Sequence, residues 1–120
     1  MSIYSTTVNE IGPNALDFLE ENMMVLFGNE APPELRPYCF MIDMNELNGT
    51  IKVGSYLTIE NQSYEITAVG EQVEKNLKDL GHITVNFNGS SVPELAGTLY
   101  VENKEIEPVS KGTKISIVEK

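Results

Sequence analysis

The sequence says most things twice, and this constrains the fold more than any single motif does. "VNEIG" at 8–12 and "ITAVG" at 66–70 each end on an apolar residue and a glycine. Each leads into a helix-like stretch, "PNALDFLEEN" and "EQVEKNLKDL". Alternating runs follow, "MMVLFG" (23–28) and "HITVNFNG" (82–89). "PPEL" (32–35) answers "VPEL" (92–95), "YCFMIDM" answers "TLYVENK", and "IKVGSYLTI" (51–59) aligns with "VSKGTKISI" (109–117), glycine on glycine. Six matches in one order, at an offset near sixty residues, predict a duplicated strand–helix–strand–strand–strand unit with copies at about 4–59 and 64–117. A unit that small buries too little surface to be stable alone. The copies are therefore expected to share one core within a single domain spanning residues 1–120.

Period-two alternation marks the strands. Ile83, Val85 and Phe87 share a face, and Ile115 and Ile117 alternate with Lys114 and Ser116. With Leu57, Ile59, Ile66 and Val69 they form the predicted core. Two runs flanking Glu60-Asn61-Gln62 read as a hairpin. Gly54 and Gly112 each precede a run, where a bend or tight turn suits glycine. Helices are predicted at 14–21, with Asn14 as N-cap, and at 71–80, with Glu71 and Glu74 in the first turn and Gly81 as the stop. Many short strands with few helices predict a mostly β fold, a closed or partly closed barrel with internal duplication and two short helices.

The formal net charge is −10, with eight Lys and Arg scattered along the chain. Such a surface repels nucleic acid and anionic membranes, and a basic protein is its electrostatic complement. Cys39 is the only cysteine, which rules out an internal disulfide. "MSIYSTTVNE" lacks the pattern of a signal peptide, and no apolar run reaches membrane-spanning length, so the expected location is cytoplasmic, outside the membrane. "NGT", "NQS" and "NGS" match a glycosylation pattern but read as turns.

No phosphate-binding loop, dinucleotide fingerprint or nucleophile elbow is present, and no cofactor is implied. One His and one Cys make a Cys/His metal site untenable, and Asp43 with Glu46 reads as a solvated acidic rim. His82 is the only histidine, directly after Gly81 where helix passes to strand, with Asn22 as its counterpart in the first half. Most histidines in such places are packing residues. Imidazole is nevertheless the side chain best suited to accept a group covalently near neutral pH, and a glycine neighbour lets another backbone approach. For that role His82 is expected to be partly accessible at the edge of a depression, about 10 Å from the strand holding Cys39–Asp43, with one ring nitrogen tied to an acceptor. Cys39 reads as a small buried hydrophobe, with Arg36 the only nearby cation in sequence. Met23, Met24, Met41 and Met44 read as core, and Pro32-Pro33 and Pro37 as stiffeners of a connection.

The series "TTVNEIG", "LFGNEAPPELRPYCF", "ELNGTIKVGSYLTI", "YEITAVG", "NLKDLGHITVNFNG" and "ELAGTLYV" resembles the glucitol/sorbitol-specific enzyme IIA component of the bacterial phosphotransferase system, from about residue 4 to 118. The resemblance implies a cytoplasmic β-barrel phosphocarrier. Its histidine takes phosphate from the histidine-containing phosphocarrier protein and passes it to the membrane permease components of the sugar-alcohol system. In that family the acceptor histidine lies in a "C-F-x-H-x-H" stretch. Here Cys39-Phe40 is followed by Met41-Ile42-Asp43-Met44, so Ile42 takes the acceptor place and Met44 that of the second histidine. "LGH" is kept, which makes His82 the candidate catalytic residue. Asp43 as an acyl-phosphate acceptor carries little weight. The alternative is a non-transferring regulatory or protein-binding member, with Ile42 beside His82 in an apolar docking patch.

Overall fold

The computed structural model describes residues 2–119. Eight strands and two helices run in the order β1 (Ser2–Ile11), α1 (Ala15–Leu19), β2 (Met23–Gly28), β3 (Phe40–Ile42), β4 (Tyr56–Ile59), β5 (Gln62–Val69), α2 (Val73–Leu80), β6 (Ile83–Asn86), β7 (Thr98–Val101) and β8 (Lys114–Val118). A 3-10 turn at Arg36–Tyr38 precedes β3. The strands close into a barrel in the order β1-β3-β2-β6-β7-β5-β4-β8, which leaves no free sheet edge.

Hydrogen bonding in the first half recurs in the second. Val8 pairs with Ile42 and Ile11 with Phe40, with an irregularity between Val8 and Glu10. Ile66 likewise pairs with Val101 and Val69 with Leu99, with the irregularity between Ile66 and Ala68. The parallel ladders match too, Leu26 against Phe40 and Val85 against Leu99. Between the halves, β2 pairs with β6 and β4 with β8, both antiparallel. Gly54 donates its N–H to Ile66 O (2.9 Å) and Gly112 donates to Val8 O (2.8 Å), so each reaches into the opposite half. Their φ angles, 97° and 95°, are in the left-handed region that glycine tolerates. Gly12 and Gly70 serve a different need. A Cβ on Gly12 would collide with the carbonyl oxygens of Arg36 and Pro37, and one on Gly70 with those of Leu95 and Ala96.

The expected core is in place with one exception. Leu57, Ile59, Ile66, Ile83, Val85, Phe87, Ile115 and Ile117 are all buried in the barrel interior. Val69 is only half-buried, although it packs against the barrel core. The irregularity between Ile66 and Ala68 shifts the alternation by one, so Val69 pairs with the core residue Leu99 as Ile66 pairs with Val101. Tyr64 is fully buried in the barrel core. Its hydroxyl accepts the Glu107 N–H and donates to Glu105 O, both at 2.8 Å, which pins the connection after β7.

Both helices are shorter than predicted. Helix α1 starts after Asn14, whose side chain makes no capping bond. The Asn14 N–H instead donates to Pro37 O at 2.7 Å, so tertiary contact sets the entry of this helix. Helix α2 begins at Val73, with Glu71 ahead of it, and ends at Gly81 with φ 67°. The hairpin turn is Glu60-Asn61 alone, because Gln62 already pairs with Ile59. Met24 and Met41 are buried, but Met23 is half-buried and Met44 lies 45 % exposed, outside the core.

A second, smaller core holds Phe27, Ala31, Cys39 and Met41. The alternation that turns Leu26, Phe40 and Ile42 into the barrel turns Phe27 and Met41 outward, under the connection from β2 to β3. Burial pushes the Cys39 thiol pKa up, against a weaker opposite pull from Arg36.

Truncating Phe87 to Ala, with the ring fully buried, is expected to cost about 3–5 kcal/mol in urea unfolding. Gly12→Ala and Gly70→Ala are each expected to destabilise by about 1–3 kcal/mol or more, because the colliding atoms are backbone. The buried thiol supplies a pH test. Its pKa is higher folded than unfolded, so its contribution is complete below the unfolded value, about pH 8.5, and is lost as the pH rises through the folded value. The urea midpoint should fall as the pH rises from the unfolded value through the folded one, and less steeply in Cys39→Ala.

Candidate functional site

The end of helix α2 places His82. The Gly81 N–H donates to Leu77 O at 3.0 Å and the His82 N–H to Asn76 O at 3.2 Å, and the left-handed Gly81 turns the chain into β6. Strand β6 then pairs with β2, Ile83 opposite Leu26, which brings the imidazole against the outer face of β2. The ring stacks on Phe27 with centroids 4.3 Å apart and planes 20° from parallel. Its Nδ1 lies 3.1 Å from Leu26 O. A carbonyl oxygen only accepts, so Nδ1 carries the proton and the neutral ring presents its lone pair at Nε2. Among the described residues Nε2 has no hydrogen-bond partner, and the side chain is half-buried.

His82 forms part of the wall of a depression of about 220 Å³ with Phe18, Val25, Leu35, Tyr38 and Cys39. Helix α1 contributes Phe18, the 3-10 turn contributes Tyr38, and the two rings meet at 5.7 Å. Arg36 is committed to the loop itself. It donates to Asn29 O at 2.8 Å and Ala31 O at 3.3 Å, and pairs with Glu10 at 2.9 Å. Cys39 Sγ donates to Leu35 O at 3.2 Å within the wall, and its raised pKa keeps it a thiol. On the other side of the Phe27–His82 stack is a second depression of about 180 Å³, with Met44, Leu80 and Pro32 in its wall.

Ile42 does not join this site. It was expected on one patch with His82, but it is fully buried in the barrel interior. The reason is strand alternation: Phe40 and Ile42 point in and Met41 points out. Strand β2 also lies between β3 and β6, so the two strands are two spacings, about 10 Å, apart. Met44 is the residue of that stretch that reaches the site. Its thioether packs over the Cα positions of Gly28 and Gly81, the residue before His82. Asp43 accepts a hydrogen bond from Asn9 Nδ2 at 2.6 Å, and Glu46 is exposed. No three acidic, Cys or His side chains converge among the described residues.

The counterpart of His82 in the first half is Met23, not Asn22. The matched ladders place Met23 there, and Asn22, with φ 63°, occupies the turn position of Gly81. Phe27, Phe18, Tyr38 and Leu80 were not singled out from sequence as site residues. The outward parity of Phe27 was the one available signal. Its pairing with His82 depends on a register between strands 56 residues apart.

Residues 3–116 match the family model for the PTS system glucitol/sorbitol-specific IIA component. The PTS system glucitol/sorbitol-specific EIIA component of Escherichia coli (strain K12) is 36% identical over 111 residues, which cover 92% of this chain and 90% of that protein. The protein of the same description from Shigella flexneri matches to the same extent. A crystal structure of a PTS system IIA component from Enterococcus faecalis V583 superposes with a TM-score of 0.86 at 28% identity, over 96% of this chain and 99% of that one. No helix among the described residues is long and apolar enough to cross a membrane. With its closed barrel and its match along nearly the whole length, the chain belongs to the glucitol/sorbitol-specific IIA component family of the phosphotransferase system.

Proposed function

We propose that this protein is a phosphocarrier of a sugar-alcohol phosphotransferase system and that His82 Nε2 carries the phosphoryl group. The histidine-containing phosphocarrier protein donates it and the membrane permease components receive it. The observation that carries this reading is the state of the ring, with Nδ1 held by Leu26 O and Nε2 unpartnered on a half-buried imidazole. In the step, the Nε2 lone pair attacks phosphorus in line, a new N–P bond forms, and the N–P bond to the donor histidine breaks. The donor imidazole leaves with the bonding pair. The positive charge on the His82 ring is shared with Nδ1–H, whose hydrogen bond to a carbonyl strengthens as the ring becomes cationic. Transfer to the permease reverses these bond changes.

A second reading has its own support. Ile42 stands where the family pattern has its acceptor histidine, and it is sealed in the core. The depression beside His82 has no basic side chain in its wall to neutralise a phosphoryl group. On this reading the chain binds phosphotransferase partners without accepting phosphate.

Incubation with phosphoenolpyruvate and the general phosphotransferase proteins separates the two. Intact-mass measurement is expected to show one added phosphoryl group, lost in mild acid and absent in His82→Ala. Uptake persisting in His82→Ala overturns the assignment to His82. No uptake by the wild-type chain leaves the second reading.

A further inference from the structure

Two stretches that read as turns, "NGT" at 48–50 and "NGS" at 88–90, hold the two Asn-Gly pairs of the chain. An asparagine before a glycine is open to attack by its own backbone. The nitrogen of the following residue can close a five-membered ring on the side-chain carbonyl carbon, and glycine has no Cβ to obstruct the closure. In sequence the two pairs are equivalent. In the fold they are not, because the attacking nitrogen must be free of its acceptor and the side chain free to turn.

At 88–90 both groups are tied. The Gly89 N–H donates to Val101 O at 2.8 Å. Asn88 Oδ1 accepts the Ser90 N–H at 3.0 Å, which holds the side chain in a local turn. At 48–50 neither group is tied. Among the described residues the Gly49 N–H and the Asn48 side-chain amide have no hydrogen-bond partner, and both residues are exposed. The segment itself is held at both ends. The Asn48 N–H donates to Ile3 O at 2.7 Å, and the Ile51 N–H donates to Glu74 Oε2 at 2.8 Å. Gly49 has φ 151°, in the region that favours glycine, so the residue that eases ring closure is also the one this turn calls for.

We infer that Asn48 is the site of spontaneous deamidation in this protein, and that Asn88, before the same residue type, is protected by the fold. In the step the Gly49 nitrogen gives its proton to hydroxide, and its electron pair attacks Asn48 Cγ. A new C–N bond forms, the bond from Cγ to Nδ2 breaks, and the leaving nitrogen takes a proton from water and departs as ammonia. Water then adds to either carbonyl of the ring and opens it, leaving aspartate or isoaspartate at 48. The product has one negative charge more than the −10 of the intact chain. That charge arises on an already acidic surface, where Glu46 shares a depression wall with Asn48 and Glu74 shares one with Gly49.

The test incubates the full chain in ¹⁸O-labelled water at mildly alkaline pH, folded and in guanidinium chloride, followed by an acid quench and peptide mapping. Label enters only where the ring opens in that water, so deamidation during handling is not counted. In the folded chain label is expected at residue 48 at least about tenfold faster than at 88, the difference that one or two hydrogen bonds make. In guanidinium chloride the two rates should converge. Asn48→Ser should remove the more acidic species that accumulates on ion exchange and leave the rate at 88 unchanged. Equal rates in the folded chain, faster label at 88, or a first label at any other asparagine overturns the inference. So does a gap that persists undiminished in guanidinium chloride, which assigns the difference to local sequence and not to the fold.

Discussion

The antiparallel pairing of β2 with β6 is the contact on which the rest of the molecule depends. It joins the two halves of the chain, Met23 to Asn86 through Leu26 to Ile83. It closes the barrel between two parallel ladders, β3 with β2 and β6 with β7. It also brings the Leu26 carbonyl to His82 Nδ1 and lays the ring on Phe27. A slip of one residue would turn Leu26 and Ile83 out of the core and break the imidazole's hydrogen bond. The same register is therefore a condition of stability and of the site.

Around this contact the strands of each half are completed by the other. Strand β1 pairs with β8 and β5 with β4, while β4 and β8 pair with each other across the halves. The apolar residues of both halves fill one interior, with Phe87, Tyr64 and Phe40 among the largest fully buried side chains. Two glycines make the close approaches possible, Gly12 under the carbonyls of Arg36 and Pro37 and Gly70 under those of Leu95 and Ala96. Closure removes the free edges that an acidic chain of short strands would otherwise present.

Equivalent backbones carry unequal surfaces. At the matched strand mouths one half has Met23 and the other His82. The connection over β2 and β3 carries three prolines together with Leu35 and Tyr38, and covers a small outer core of Phe27, Ala31, Cys39 and Met41. That connection makes the apolar surroundings of the imidazole. It also buries Cys39, whose thiol donates to Leu35 O and whose pKa burial pushes up.

Much of the fold was legible in the sequence because its signals are local. Alternation at Ile83, Val85 and Phe87, the Glu60-Asn61 turn and the Gly81 stop each depend on residues close in the chain. So did the recurrence of pattern near sixty residues, and the isolation of His82 as the one candidate histidine. Tertiary structure decided what local signals do not carry. Asn14 holds the N-cap position without a side-chain bond and gives its N–H to Pro37, an irregularity in β5 keeps Val69 on the same face as Ile66, and Ile42 points into the core away from His82. Met44, Phe27 and Leu80 arrive beside the imidazole from three separate elements. The sequence by itself determined which residues alternate and where the chain turns, because backbone geometry and side-chain parity act over a few residues. Which faces meet was decided by the register between distant strands, which is set by the packing of one shared core.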